Sequence, residues 1–248
     1  MRGPEEGNAG RLVRDLPSAI PAHPLDPRIT PERARKYRQV LARRTARLAV
    51  VIEDCYDPHN ATAILRTCDA LGIHTCVVTT AHNGFKVNPK VSQGVHRYLD
   101  LHVLPDIDAA VALLKPRGFR FLVTDLAAGA TVGPGQLLPR LAETPLAIVF
   151  GNEGHGISAR ARALADGAFL LPMAGFSQSL NLSVSVAMTL QALRGAAVAE
   201  DGPGDLPEAE QIRHYDRWIR AYCGEAAEGL AARPAIDRHG VAVEEFRG

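Results

Sequence analysis

The sequence has only four cysteines, and no two of them form a C-x-x-C pair. Cys55, Cys68 and Cys76 lie in apolar, element-like stretches. They read as reduced, buried thiols in a cytoplasmic protein, not as a disulfide frame or a zinc site. The loop histidines His59, His96 and His155 match no metal-ligand spacing, and no metal is expected. No uninterrupted apolar run approaches the roughly 18 residues of a membrane span. The N-terminal residues also lack the apolar centre of a secretory signal, so neither membrane insertion nor export is expected. An excess of one charge is missing too, with 28 Lys and Arg against 27 Asp and Glu. There are no internal repeats.

That overall neutrality hides a segregation of charge. Between Thr30 and Arg47 seven basic residues (Arg33, Arg35, Lys36, Arg38, Arg43, Arg44, Arg47) stand with a single acid, Glu32. Thr30-Pro31-Glu32 reads as a helix start, with a threonine cap, proline in the first turn and an acid at the positive end of the dipole. The helix is expected to run to about Arg44, with Tyr37, Val40 and Leu41 as its apolar content. Either it is a solvated charged helix, or its one-sided charge faces a polyanion such as RNA. Residues 1–29 carry five prolines and few large apolar side chains, and read as a flexible leader.

From Leu48 onward short apolar runs alternate with helix-like segments. The runs are Leu48–Ile52, Cys76–Thr79, Leu101–Leu104, Phe119–Val123, Leu146–Phe150 and Phe169–Leu171. Runs apolar on both faces imply strands covered from both sides. The pattern predicts an α/β domain over 46–200, a mainly parallel sheet with helices on both faces. The helical segments fall near 60–71, 106–115, 135–141, 157–165 and 181–199. Gly202-Pro203-Gly204 then breaks the chain, and 201–248 forms a helical extension and tail. Its helix, about 207–223, sets Ile212, Tyr215, Trp218 and Ile219 on one face, with Trp218 as a packing residue.

Three segments do not read as ordinary connections. In the first, Pro58 stops a strand, Asn60 is a natural helix cap, and Arg66 follows six residues later. Asparagine, free amides and a guanidinium could converge there at a strand's carboxyl end, where α/β sheets bind ligands; a capped helix with a paired arginine is the plainer alternative. In the second, Gly151, Gly154 and Gly156 enclose Glu153 between a strand and a helix. The spacing G-x-x-G-x-G is not a dinucleotide fingerprint and lacks a Walker lysine, which disfavours nicotinamide or ATP chemistry. In the third, Gln178, Ser179, Asn181 and Ser183 cluster beside apolar sequence, so a ligand or another loop should answer them.

Together these segments resemble the three motifs of the SpoU/TrmH branch of the SPOUT methyltransferases. P-H-N-x-x-A-I-x-R-T-x-D-A-x-G stands at Pro58 through Gly72, F-G-x-E-x-x-G-[IV] at Phe150 through Ile157, and P-M-x-G-x-x-Q-S-L-N-x-S-V at Pro172 through Val184. The resemblance implies an α/β fold with a C-terminal trefoil knot, S-adenosylmethionine as cofactor, a homodimer, and methylation of an RNA ribose 2′-hydroxyl without a metal. It implies catalytic roles for Arg66, Asn60, Glu153, Ser179 and Asn181. Arg66 would be either the base or the stabiliser of the alkoxide, since a guanidinium with a pKa above about 12 resists deprotonation. Leu126, Gly151, Gly154, Leu171, Met173, Ser179 and Leu180 would hold the cofactor. The short extension before the domain resembles that of the tRNA-modifying members, which act on a D-loop guanosine. This assigns RNA contacts to Arg33, Arg35, Arg38, Arg43 and Arg44 in a basic helix over 30–45. Methylation of rRNA, or RNA binding without catalysis, are the alternative readings.

Overall fold

The computed structural model describes residues 15–85, 94–125 and 130–227. Its centre is a seven-stranded parallel sheet in the order β3-β2-β1-β6-β4-β7-β5. The strands are β1 Thr45–Glu53, β2 Ile73–Thr79, β3 Asp100–Leu104, β4 Arg120–Thr124, β5 Thr131–Val132, β6 Leu146–Phe150 and β7 Gly167–Leu170. Central β1 pairs with β2 and β6, setting Val50 opposite Cys76 and Ile148. All residues of β2 and β6 are buried, as the continuous apolar runs require. The two-residue β5 is too short to leave a period-2 signal in the sequence.

Alternate residues of β1 enter different cores. Leu48, Val50 and Ile52 join Ile64, Leu65 and Cys68 of α2 (Pro58–Ala70) and Val186, Leu190 and Leu193 of a long helix, Leu182–Ala199. Ala49 and Val51 face the other way, onto α3 (Ile107–Leu114) and α5 (Ala159–Leu164). Between those two helices in sequence lies α4 (Leu138–Glu143), and the long helix is α6. By length and composition α6 is apolar enough to cross a membrane. It holds no uninterrupted apolar run, because Ser183, Ser185, Thr189, Gln191 and Arg194 punctuate it. Here Leu182, Val186, Leu190 and Leu193 pack on α2 and the sheet, while Val184, Met188 and Val198 stay exposed.

The terminal segments make a third core. α1 (Pro31–Leu41) begins where expected, with the Thr30 side chain accepting from Arg33 N. α7 (Glu208–Cys223) buries Ile212, Tyr215, Trp218 and Ile219, and Trp218 packs edge-on against Tyr37 and Tyr98. Residues 15–29 pack onto this core and are not a flexible leader, because Ile20, Leu25 and Ile29 are buried in it. Residues 1–14 lie outside the described residues. The link from α6 to α7 passes hard against the α1–β1 corner. A Cβ on Gly204 would stand 1.9 Å from the Arg44 carbonyl oxygen, so only glycine fits.

Candidate functional site

The three motif segments meet at the carboxyl edge of the sheet. At the end of β1, Asp57 accepts from His59 N at 2.8 Å and caps α2, with Pro58 in the first turn. Asn60, expected to be the cap, is instead a helical residue whose side chain is free for other work: its Nδ2 donates to Glu153 Oε1 at 3.0 Å.

Glu153 reaches that position because the loop after β6 is folded back on itself. Asn152 and Gly156 exchange backbone hydrogen bonds of 3.0 and 2.8 Å. A Cβ on Gly151 would lie 2.2 Å from the Gly156 carbonyl carbon, so glycine is obligatory. Asn152 Oδ1 accepts from Gly154 N (2.7 Å) and His155 N (3.2 Å), and its Nδ2 donates to the Asp54 carbonyl at 2.7 Å. Glu153 then accepts from Tyr56 N (2.8 Å), Asp57 N (3.3 Å) and the Cys55 thiol (3.1 Å) as well as from Asn60. Burial alone would raise its carboxyl pKa, but the donors outweigh burial and hold it at about 2. The Cys55 thiol is pushed up to about 12 by burial and by its bond to Glu153, so it stays a thiol.

The third segment contributes Asn181. Its Oδ1 caps α6 by accepting from Ser183 N at 2.9 Å, and its Nδ2 donates to Asn60 Oδ1 at 3.0 Å. The side chains therefore form one directed chain, Asn181 to Asn60 to Glu153. Leu171 is half-buried, and the rest of this loop is exposed: Phe176 fully, with Met173, Ser179 and Leu180 also open to solvent. Within the Gln178–Ser183 cluster, Asn181 and Ser183 are bonded to protein groups, while Gln178 and Ser179 are open to solvent, where a ligand can answer them. Arg66 is exposed on α2 and makes no hydrogen bond or ion pair among the described residues. Of the expected catalytic residues, then, Asn60, Glu153 and Asn181 are in contact, while Arg66 and Ser179 stand apart. Leu126 lies outside the described residues.

Sequence reasoning missed Asp54, Tyr56 and Asn152. Asp54 adopts a left-handed φ of 51°, tolerable for aspartate. It borders a cleft of about 740 Å³ between the β1 and β6 loops. The signal available for Asn152 was its place before a glycine turn, where an Asx side chain bonds its own backbone.

The basic helix, α1, ends at Leu41, short of the expected Arg44, because the chain turns there into β1, and the basic residues of this stretch divide in two. Arg44 is fully buried, bonded to Asp69 and to the carbonyls of Ile73 and Tyr98, so it is structural and cannot meet RNA. Arg43 pairs with Asp201, and Arg38 pairs with Asp26 beneath the Tyr215 ring, each only about a fifth exposed. Arg35 remains open despite its pair with Asp15, and Arg33 lies over the Tyr222 ring. Elsewhere, donor atoms of His74, Asp100 and His214 lie within 4.8 Å of one another. Arg213 Nη2 already sits among them, 2.9 Å from His214 Nε2 and 4.0 Å from Asp100.

An open parallel sheet with three polar loops converging at its strand ends defines an α/β domain of the ligand-binding, enzymatic kind. Residues 47–191, more than half of the chain, match the profile of the SpoU rRNA Methylase family. The chain belongs to that family. It is 39% identical over 194 residues to a tRNA (guanosine(18)-2′-O)-methyltransferase of Thermus thermophilus, covering 77% of this chain and 97% of the relative. The enzyme of the same name from Escherichia coli is 35% identical over 191 residues, covering 75% and 81%. Among solved structures, a TrmH/SpoU tRNA modifying enzyme of A. aeolicus superposes with a TM-score of 0.69 at 26% identity, covering 78% of this chain and 98% of that one. The SpoU methyltransferase AviRb of Streptomyces viridochromogenes, solved with AdoMet, shares the fold with a TM-score of 0.54 at 24% identity, covering 63% and 62%.

Proposed function

We propose that the protein transfers a methyl group from S-adenosylmethionine to the ribose 2′-hydroxyl of a tRNA D-loop guanosine, in the cytoplasm, as a homodimer and without a metal. The observation that carries this reading is the Asn181–Asn60–Glu153 chain, which joins one residue from each motif. The names of the relatives in T. thermophilus and E. coli supply the substrate.

The loops suit the cofactor. Gly151 packs its backbone directly against Gly156 and so shapes the loop, Gly154 is exposed, and Met173 and Leu180 offer open apolar surface. These four, with Leu171 and Ser179, would hold it, and Leu126 would complete the set. When bound, S-adenosylmethionine supplies an electrophilic methyl group on a sulfonium. The protein's task is then largely to position the acceptor oxygen. Glu153, held at about 2, is far too weak a base to take a hydroxyl proton. It fixes Asn60 and the start of α2. The Arg66 guanidinium stabilises the negative charge that develops on the 2′-oxygen, whose proton is lost to solvent. Ser179 and Asn181 orient the reacting groups. A second copy would cover Phe176, Leu180, Val184 and Met188, all exposed along the third loop and α6. The knot expected of the family remains part of this proposal.

The test is methyl incorporation from labelled S-adenosylmethionine into tRNA and rRNA pools kept separate, with the modified nucleoside mapped. Label as 2′-O-methylguanosine in the tRNA D-loop supports the reading. Label in rRNA alone replaces the substrate.

A further inference from the structure

One residue ties together the loops around the cleft between β1 and β6. Asp54 N donates to Thr79 O at 3.2 Å, tying β1 to β2. The Asp54 carboxylate accepts from His82 N (2.9 Å) and Asn83 N (2.8 Å) and contacts His82 Nδ1 at 3.0 Å. Its backbone carbonyl accepts from Asn83 Nδ2 (3.1 Å) and Asn152 Nδ2 (2.7 Å). Three loops from three strands are thus pinned to a single residue in the left-handed region. Aspartate tolerates that region, and the hydrogen bonds to the three loops hold it there.

The cleft's walls have a distinct chemistry. Tyr56 is 75% exposed, the His82 side chain 85%, and His155 is exposed too. Aromatic residues make up only 5% of the chain, so a bare tyrosine beside two open imidazoles stands out. The Tyr56 backbone is anchored through its N–H to Glu153, which leaves the ring free. Among the described residues no Lys or Arg lines the cleft, while Asp54 and Glu153 do. That disfavours a phosphate and favours a flat, uncharged group that offers N–H donors. The volume, about 740 Å³, lies within the range of small-molecule pockets and admits a nucleoside.

We propose that this cleft receives the nucleobase of the nucleotide being methylated, with the Tyr56 ring as its stacking face. The inference rests on the RNA methyltransferase reading above. Glu153 belongs both to the cleft wall and to the Asn60 chain, so a base seated here brings its own ribose to the reacting edge. A base paired or stacked within folded tRNA must be splayed out to enter, and an aromatic platform compensates for the stacking it loses. Guanine, with N–H donors on its Watson–Crick edge, suits a wall of carboxylates and amide oxygens.

The test compares the wild type with Tyr56→Ala and Tyr56→Phe, using intact tRNA as substrate. Tyr56→Ala should lower kcat/KM for tRNA by about tenfold or more, and Tyr56→Phe should restore it to within about twofold of wild type. S-adenosylmethionine affinity should stay unchanged in both. With 2-aminopurine at the mapped target position, the Tyr56→Ala complex should fluoresce more strongly than the wild-type complex, because the ring no longer quenches the base. An active wild type with Tyr56→Ala equal to it overturns the cleft assignment alone. So does a loss confined to S-adenosylmethionine affinity, which would make the cleft part of the cofactor site. A wild type that methylates no RNA overturns the functional reading and the cleft assignment with it.

Discussion

Asn60 Oδ1 accepts a hydrogen bond from Asn181 Nδ2, while Asn60 Nδ2 donates to Glu153, so one amide joins residues 121 and 93 positions away in sequence. Both ends of the amide are used, and a side chain lacking either a donor or an acceptor cannot replace it.

Asn60→Asp keeps the shape and the acceptor but removes the donor, and sets a second carboxylate against Glu153. It should lower methyl transfer by about a hundredfold and destabilise the fold by about 1–3 kcal/mol. Steady-state kinetics at saturating cofactor and urea unfolding measure the two effects. An Asn60→Asp variant with wild-type kcat would show that the chain is structural.

Acid should loosen the C-terminal helix before it touches the carboxylates. His74 on β2 and His214 on α7 are buried with rings 4.2 Å apart. Burial first, and then the nearby His214, hold the His74 pKa down at about 2. Asp100 and Glu210 oppose this, and Arg44 adds to it. Burial also lowers His214, helped by Arg217 and Arg213 and opposed by Glu210 and Asp100. The unfolded chain takes up these protons near pH 6.5 while the folded chain does not, so stability is full above that pH and falls below it. The loss is at most about 1.4 kcal/mol per pH unit for each histidine. Asp100 is held below the carboxylate range, so its contribution is lost only under more acid conditions, below about pH 4. Urea unfolding between pH 7 and 4.5 should show the decline, and His74→Gln should flatten it.

The basic residues of α1 and of the turn after it should separate by function. Arg44→Met leaves Asp69 and two carbonyls without their donor, and should cost about 3 kcal/mol of stability. Replacing Arg33 and Arg35 with alanine should leave the melting temperature nearly unchanged. It should weaken tRNA binding and reduce the salt slope by about one for each phosphate that is no longer neutralised. Equal salt slopes in wild type and the double variant would remove these two residues from the RNA surface.

The strand runs were legible because β1, β2 and β6 are buried on both faces, and β1's alternation between two cores follows from geometry alone. The three motif loops were legible as a set from their residue types and spacing. What could not be read was which polar groups would meet. Asn60 looks like a cap in sequence, but Asp57 three residues earlier takes that place and frees it. Arg44 is indistinguishable by composition from Arg33, and only the pairing of β1 with β2 and the position of Asp69 determine that it is buried. Asp54's role depends on three loops from distant strands, which no local pattern records.

The most direct test of the central claim changes one oxygen atom. Unmodified tRNA is prepared with guanosine or with 2′-deoxyguanosine at the D-loop position mapped as the acceptor, and methyl incorporation from labelled S-adenosylmethionine is followed with the wild-type protein. Stoichiometric labelling of the guanosine tRNA and none of the deoxy tRNA is expected, with both bound equally. Equal labelling of the two would mean that the methyl group goes to a base, and would contradict ribose methylation outright.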